Sequence, residues 1–153
     1  MGKLPQHPPF GALVVTYRLR GGQPEFLLRH RAASGPDFEG EWAWGPPGGN
    51  REEGETIDQC ATRELYEETG FHLTPRRTEG GSPEWVVYLA EVPSDQEPAL
   101  SAEHDRFVWL PYDDAVARIS PTIVQSRFVG AVASVLRREK APSESRPSAD
   151  ERD

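Results

Sequence analysis

The sequence predicts a single α+β domain in which a mixed β-sheet is sandwiched between helices. Short segments rich in apolar and β-branched residues are separated by Gly/Pro turns, which is typical of strands. Three other segments have the apolar spacing of amphipathic helices. These elements do not follow the regular strand–helix alternation of a parallel βαβ protein, so a mixed sheet is expected. The 153 residues suit one domain, since domains commonly hold roughly 100–200 residues.

The elements follow in order along the chain. Residues 1–9 contain three prolines and are expected to form an extended lead-in, because proline fixes φ and lacks a donor. The domain itself is expected to span residues 10–140. The predicted strands are 10–17, 25–29, 84–92 and 106–110, and the predicted helices are 56–69, 112–118 and 123–138. The tail, residues 141–153, has no large apolar residue and is expected to be disordered.

Composition and charge exclude several classes of partner. With 25 acidic and 17 basic residues the net charge is -8, which argues against a nucleic-acid polymer because phosphate backbones select a surplus of Lys and Arg. No apolar run approaches the roughly 20 residues of a membrane span, and no secretory signal is recognisable. The single cysteine, Cys60, fits a reducing compartment. We therefore expect a cytoplasmic protein that binds neither nucleic-acid polymers nor membranes; its oligomeric state, a homodimer included, is left open.

The acidic surplus is concentrated in one predicted helix. Residues 51–69 hold seven acidic and two basic residues. On a helical wheel of about 100° per residue, Glu64, Glu67 and Glu68 fall within or beside the apolar arc, whereas Thr69 falls on the solvent side. A charge run is usually a solvated face, but the phase of this helix contradicts that interpretation. The apolar arc is formed by Ile57, Cys60, Ala61 and Leu65.

Clustered carboxylates on an inward face require a counter-charge. Side chains at i, i+3 and i+4 are neighbours and repel one another when they carry like charge, and partial burial would raise their pKa values. Arg63 can offset one charge. A hard divalent cation, Mg²⁺ or in its place Mn²⁺, suits carboxylate oxygens. The adjacent glycines Gly48 and Gly49 let the backbone approach a ligand closely, so the sequence predicts a metal–carboxylate site at this loop–helix junction.

The same residues resemble the box motif of the Nudix family. Gly49, Glu55 and the run REXXEE that begins at Arg63, continued through Gly70 and Phe71, fill the fixed positions of that pattern. The likeness extends over residues 10–138. It implies a Nudix hydrolase, a nucleotide pyrophosphohydrolase acting on acid anhydrides, in which water attacks phosphorus and cleaves a diphosphate linkage of a nucleoside diphosphate derivative.

The resemblance also implies roles for individual residues. Glu64, Glu67 and Glu68 would be metal ligands in the catalytic centre, and the backbone oxygen of Gly48 would be a further ligand. Arg63 would belong to the same centre as a brace that holds the loop through Glu55, with Gly49 and Gly70 as structural positions of the box. The general base is either one of the box glutamates or Glu103, for which an exposed loop acid is the alternative.

The substrate signals conflict. Tyr88, Glu103 with His104, and the Trp-Leu-Pro at 109–111 resemble diadenosine polyphosphate hydrolases, but the Pro-Gly-Gly entry at 47–49 resembles the branches that cleave nucleoside triphosphates or ADP-ribose. We expect a small nucleotide substrate, a nucleoside triphosphate or a dinucleoside polyphosphate. An ADP-ribose pyrophosphatase and a non-catalytic nucleotide-sensing module are the alternatives.

Five residues are candidates for substrate binding. Arg29 and Arg31 could contact phosphates, or they could be exposed charges at the end of a strand. Trp44, together with Trp42, could stack on a base, or both could be packed in the core. Tyr88 could likewise be a stacking residue or a core residue of its strand.

Overall fold

A computed structural model describes the backbone of residues 5–145 and the side chains of residues 5–134. Within this range seven strands and three helices form the predicted α+β fold. The elements are β1 (Gly11–Arg20), β2 (Gln23–Arg31), β3 (Trp44–Gly45), β4 (Gly48–Asn50), α1 (Ile57–Thr69), β5 (Arg76–Gly81), β6 (Trp85–Glu91), β7 (His104–Leu110), α2 (Tyr112–Arg118) and α3 (Thr122–Ser145).

The seven strands form one mixed sheet with β1 near its centre. The main path runs β3-β2-β1-β6-β5, while β4 pairs with β1 and β7 pairs with β2. Strands β1 and β6 are parallel, and the other pairs are antiparallel. Because β4 pairs with β1, the sheet anchors the start of the loop that leads into the acidic helix.

Helices cover both faces of the sheet. Successive side chains of a strand point to opposite faces, so Leu13 and Val15 of β1 pack with apolar residues of α2 and α3. Ala12 and Val14 pack on the other face with α1, where Leu65 is fully buried. Burial of a side chain such as Leu65 stabilises the fold by about 1.5–3 kcal/mol. The predicted sandwich of a sheet between helices is confirmed.

Strand β5 is absent from the predicted elements. Its sequence, RRTEGG, has no apolar alternation, and its position depends on its neighbours. The Thr78 hydroxyl donates to the carbonyl of Val87 in β6 at 2.7 Å. Helix α3 crosses so closely that a Cβ atom on Gly80 would lie 2.7 Å from the backbone nitrogen of Ala131. The glycine therefore permits the contact between β5 and α3.

The two ends of the domain extend slightly beyond the predicted bounds. Helix α3 continues to Ser145, five residues past the predicted domain end at residue 140, and residues 146–153 of the predicted tail lie outside the described residues. At the other end, the Arg51 guanidinium donates to the carbonyls of Pro9 and His7 at 2.7 and 2.9 Å, which holds the lead-in against the loop before α1. In the described part of the chain, no helix has the length and hydropathy needed to cross a membrane.

Candidate active site

Helix α1 begins and ends at the predicted residues. The Thr56 side chain accepts from the backbone N–H of Gln59, and the Gln59 side chain accepts from the backbone N–H of Thr56, which completes a capping box. At the other end Gly70 has φ +78° and donates its N–H to the carbonyl of Tyr66, as expected for a left-handed C-cap. These caps set the phase in which the helix presents its carboxylates.

Two of the three glutamates face inward. The side chains of Glu64 and Glu68 are 12% and 11% exposed, whereas that of Glu67 is 56% exposed. The expectation of joint burial therefore holds for Glu64 and Glu68 but is wrong for Glu67, which lies at the edge of the arc. The prediction that Thr69 faces solvent is also wrong, because Thr69 is only 1% exposed. Its carbonyl accepts from the N–H of Ala99, which lies in the segment between β6 and β7.

Glu68 is held by donors from two other elements. The Arg29 guanidinium donates to its Oε1 at 2.8 Å, and the backbone N–H of Gly48 donates to the same atom at 3.1 Å. Arg29 also donates to the carbonyl of Pro46 at 2.8 Å. It is only 5% exposed, so Arg29 is not an exposed charge at the strand end, whereas Arg31 is exposed. Burial lowers the pKa of Arg29, and the charge of Glu68 opposes that shift.

Glu64 lies against the glycine loop. A Cβ atom on Gly49 would be 2.5 Å from the Glu64 carboxyl carbon, so only glycine leaves room for this side chain. Burial, followed by the neighbouring Glu68, raises the pKa of Glu64 to about 8, while Arg63 acts in the opposite direction. Such a pair of buried carboxylates has an excess of negative charge that a hard cation would offset. The donor set therefore fits Mg²⁺.

The predicted three-carboxylate cluster is not assembled, however. Among the residues whose side chains are described, no group of three or more His, Cys, Asp or Glu is arranged to hold a metal ion. Instead, Glu67 accepts from the Arg63 guanidinium at 3.1 Å. The structure thus offers two inward carboxylates, with the third one turn away at the surface.

Arg63 joins the loop to the helix. Its Nε and Nη2 atoms donate to the two carboxylate oxygens of Glu55 at 2.6 and 2.9 Å, and Nη2 also donates to the carbonyl of Asn50 at 3.0 Å. The hydrogen bond from Arg63 is the main cause that lowers the pKa of Glu55, and the same bond raises the pKa of Arg63. The contact expected of a bracing pair is present.

A cavity of about 860 Å³ opens beside the glycine loop. This volume lies within the range of roughly 300–1,000 Å³ that small-molecule sites occupy. Its wall combines charged groups near the loop with apolar side chains of the β2–β3 segment and α3. The sequence-predicted residues that line it are Arg29, Arg31, Trp44, Gly48, Gly49, Glu68 and Glu103.

Glu103 and His104 enter the cavity from the start of β7. Glu103 is exposed at the rim, and its backbone carbonyl accepts from the N–H of Ala32 at 2.9 Å. The Nδ1 atom of His104 lies 3.1 Å from Nη1 of Arg29. Burial and the charge of Arg29 lower the pKa of His104 to about 4, so the imidazole is neutral at neutral pH. Because a guanidinium only donates, Nδ1 accepts and the imidazole proton is on Nε2.

Tyr88 is not among the residues that line this cavity. It is 1% exposed in β6, and its hydroxyl donates to the carboxylate of Asp58 in α1. These contacts agree with the core alternative rather than with a base-stacking role.

The two tryptophans of the β2–β3 segment differ. Trp44 is 5% exposed, and its ring packs 4.9 Å from that of His30. Trp42 is 53% exposed at the cavity, and its φ of +74° is rare for a residue that is not glycine. Ile123 and Arg127 on α3 also line the cavity. The sequence did not predict them, because helical periodicity does not show which residues face a cavity.

Comparisons with known proteins agree with this arrangement. The family model described as NUDIX domain matches residues 7–128. The bis(5'-nucleosyl)-tetraphosphatase [asymmetrical] of Caenorhabditis elegans is 33% identical over 115 residues, which cover 67% of this chain and 79% of that protein. Its counterpart of the same name from Rattus norvegicus is 36% identical over 104 residues, covering 60% and 67%.

A solved structure shows the same fold. The crystal structure of a C. elegans Ap4A hydrolase binary complex superposes with a TM-score of 0.66 and 27% identity, covering 83% of this chain and 97% of that one. The chain therefore belongs to the Nudix family and is a nucleotide pyrophosphohydrolase.

Proposed function

We propose that this chain is a Mg²⁺-dependent hydrolase that cleaves a diphosphate linkage of a dinucleoside polyphosphate by attack of water on phosphorus. The observation that carries the proposal is a single cavity lined both by Glu68 with Arg29 and by tryptophan side chains, which suits a ligand with phosphates and a base. Two relatives named bis(5'-nucleosyl)-tetraphosphatase support this substrate class over nucleoside triphosphates and ADP-ribose.

The metal would be held by Glu64 and Glu68. Glu67, one helical turn from Glu64, and the backbone oxygen of Gly48 are the further ligands in this proposal. When bound, Mg²⁺ neutralises phosphate oxygens and orients the attacking water. Mn²⁺ should substitute, because it has the same preference for oxygen ligands.

The remaining residues of the site would position these groups and the substrate. Arg29 holds the Glu68 carboxylate from the sheet side at 2.8 Å, and the ion pair of Arg63 and Glu55 keeps the loop against α1. We assign the general base to Glu103, because its side chain lines the cavity from the β7 side. No protein nucleophile is needed, and burial raises the pKa of the Cys60 thiol to about 12, which leaves it unreactive.

Trp42 is the proposed stacking partner for a nucleobase. Its exposed ring at the cavity is available to a ligand, whereas Trp44 is largely packed in the core and presents only part of its ring. Stacking of a base on an aromatic side chain contributes about 1–3 kcal/mol. Such a contact would recognise a base without reading its identity.

The test is product identification in ¹⁸O-water with diadenosine tetraphosphate, ATP and ADP-ribose, each with Mg²⁺, Mn²⁺ or EDTA. We expect diadenosine tetraphosphate to be cleaved fastest and only with metal. Glu68→Gln should lower kcat by at least about a hundredfold, in line with loss of a metal ligand. Glu53→Gln, a change of an exposed acid in the preceding loop, should leave kcat unchanged.

Two outcomes would contradict the proposal in different ways. Faster cleavage of ADP-ribose than of diadenosine tetraphosphate would show that ADP-ribose is the preferred substrate. Tight binding of all three nucleotides without turnover would instead indicate a nucleotide-sensing module. The cytoplasmic location stays a sequence-based prediction.

A further inference from the structure

Arg127 is a partly buried cation on α3 that lines the cavity. Its guanidinium carbon lies 5.2 Å from the centre of the Trp85 ring. Among the described residues, no carboxylate forms an ion pair with it, whereas Arg18, Arg29 and Arg63 each contact at least one. Burial alone lowers the pKa of Arg127, so its desolvation is not offset by a protein anion.

The backbone places this cation near the glycine loop. A Cβ atom on Gly11 would lie 2.5 Å from the Trp85 ring and 2.6 Å from the carbonyl oxygen of Gly49. The Trp85 ring and the Gly49 carbonyl therefore lie side by side. Since Arg127 is stacked over that ring, its guanidinium lies on the α3 side of the loop, and Trp85, Gly49 and Glu68 line the same cavity.

The other basic groups of the cavity are differently placed. Arg29 is engaged by Glu68 and by the Pro46 carbonyl, so its donors are largely used. Arg31 is exposed and keeps its hydration. Arg127 is thus the cavity-lining cation that is partly desolvated and, within the described residues, not neutralised.

We propose that Arg127 binds a phosphate of the substrate's polyphosphate chain, at a position on the α3 wall distinct from the Arg29–Glu68 contact. This inference rests on the proposed function for the cavity. A planar guanidinium is suited to bidentate hydrogen bonds with phosphate oxygens. A phosphate held there would be a second phosphate contact on the α3 side of the glycine loop, so Arg127 would strengthen binding of the polyphosphate chain.

The chain supplies a matched control. Arg118 at the end of α2 has its guanidinium carbon 5.1 Å from the centre of the Trp44 ring, but it is exposed and is not among the residues that line the cavity. Substitution of either arginine by Gln removes one charge and one cation–π contact. Only the substitution at Arg127 removes a group from the cavity.

Steady-state kinetics with diadenosine tetra- and pentaphosphate test the proposal. Arg127→Gln should raise KM for the tetra- and pentaphosphate by about tenfold or more, the value of one charge-assisted hydrogen bond, and change kcat by less than about threefold. Arg127→Lys should recover part of the loss. Arg118→Gln should keep KM within about twofold of the wild type.

Calorimetric titration with inorganic tripolyphosphate and Mg²⁺ separates this proposal from the proposed function. Weaker tripolyphosphate binding by Arg127→Gln alone supports the phosphate contact even if the wild type hydrolyses none of the dinucleotides. Unchanged KM and unchanged tripolyphosphate binding in Arg127→Gln would overturn it. Equal losses of affinity and of unfolding temperature in the Arg127→Gln and Arg118→Gln variants would also overturn it, since they would indicate a structural role.

Discussion

Replacement of Arg29 by Met should destabilise the protein strongly. The substitution removes the donors that contact Glu68 and the Pro46 carbonyl at 2.8 Å, and it leaves a largely buried carboxylate with the backbone N–H of Gly48. Loss of one partner of a buried ion pair costs about 3–5 kcal/mol. The buried Nε atom of Arg29 already lacks a hydrogen-bond partner in the described structure, so its removal recovers part of that cost, and we expect a net loss of about 3 kcal/mol.

Urea unfolding in EDTA measures this loss. With a slope of about 2 kcal/mol per molar urea, the midpoint should fall by about 1.5 M, whereas Arg31→Met on the same strand should shift it little because Arg31 is exposed. The double variant Arg29→Met/Glu68→Met should be more stable than Arg29→Met, because both buried charges are gone. A loss below about 1 kcal/mol in the single variant, or a double variant no more stable than the single one, would refute the reasoning.

Three further predictions concern the loop, the histidine and the exposed tryptophan. Gly49→Ala places a Cβ 2.5 Å from the Glu64 carboxyl, a movable side-chain end, whereas Gly48→Ala meets the Ala12 backbone oxygen at 2.5 Å; activity assays and thermal unfolding should show mainly lost turnover for Gly49→Ala and lost stability for Gly48→Ala. The pKa of His104 is lowered from 6.5 to about 4, so its contribution to stability is present above pH 6.5 and is lost as pH falls through 4; the difference in unfolding free energy between wild type and His104→Asn should shrink over that window, and a constant difference would contradict it. Trp42→Ala should raise KM for diadenosine tetraphosphate about tenfold with kcat nearly unchanged, as loss of one stacked base implies, and an unchanged KM would exclude Trp42 as the stacking residue.

The helix and its carboxylates were predictable from local pattern. Wheel phase identifies Glu64 and Glu68 as inward residues, and the capping residues fix the bounds of α1. Glu67 lies at the edge of the apolar arc, where phase does not decide burial. In the structure its side chain is 56% exposed and contacts Arg63, an arrangement that depends on rotamers rather than on periodicity.

Features that depend on distant segments could not be predicted. Arg29 resembles any charge at a strand end until α1 brings Glu68 against it, 39 residues later in the chain. Strand β5 has a polar sequence, and its pairing with β6 together with the close approach of α3 at Gly80 defines it. The strand pattern around Tyr88 fits a stacking residue as well as a core residue, and its bond to Asp58 in α1 depends on the docking of that helix.

The most direct test of the central claim compares Glu68→Gln with Glu53→Gln in the hydrolysis of diadenosine tetraphosphate under saturating Mg²⁺. We predict cleavage by the wild type and by Glu53→Gln at equal rates, and at least about a hundredfold lower kcat for Glu68→Gln with its fold retained by circular dichroism. Turnover by Glu68→Gln near the wild-type rate would contradict the claim that the Arg29–Glu68 end of the cavity is where the diphosphate linkage is cleaved.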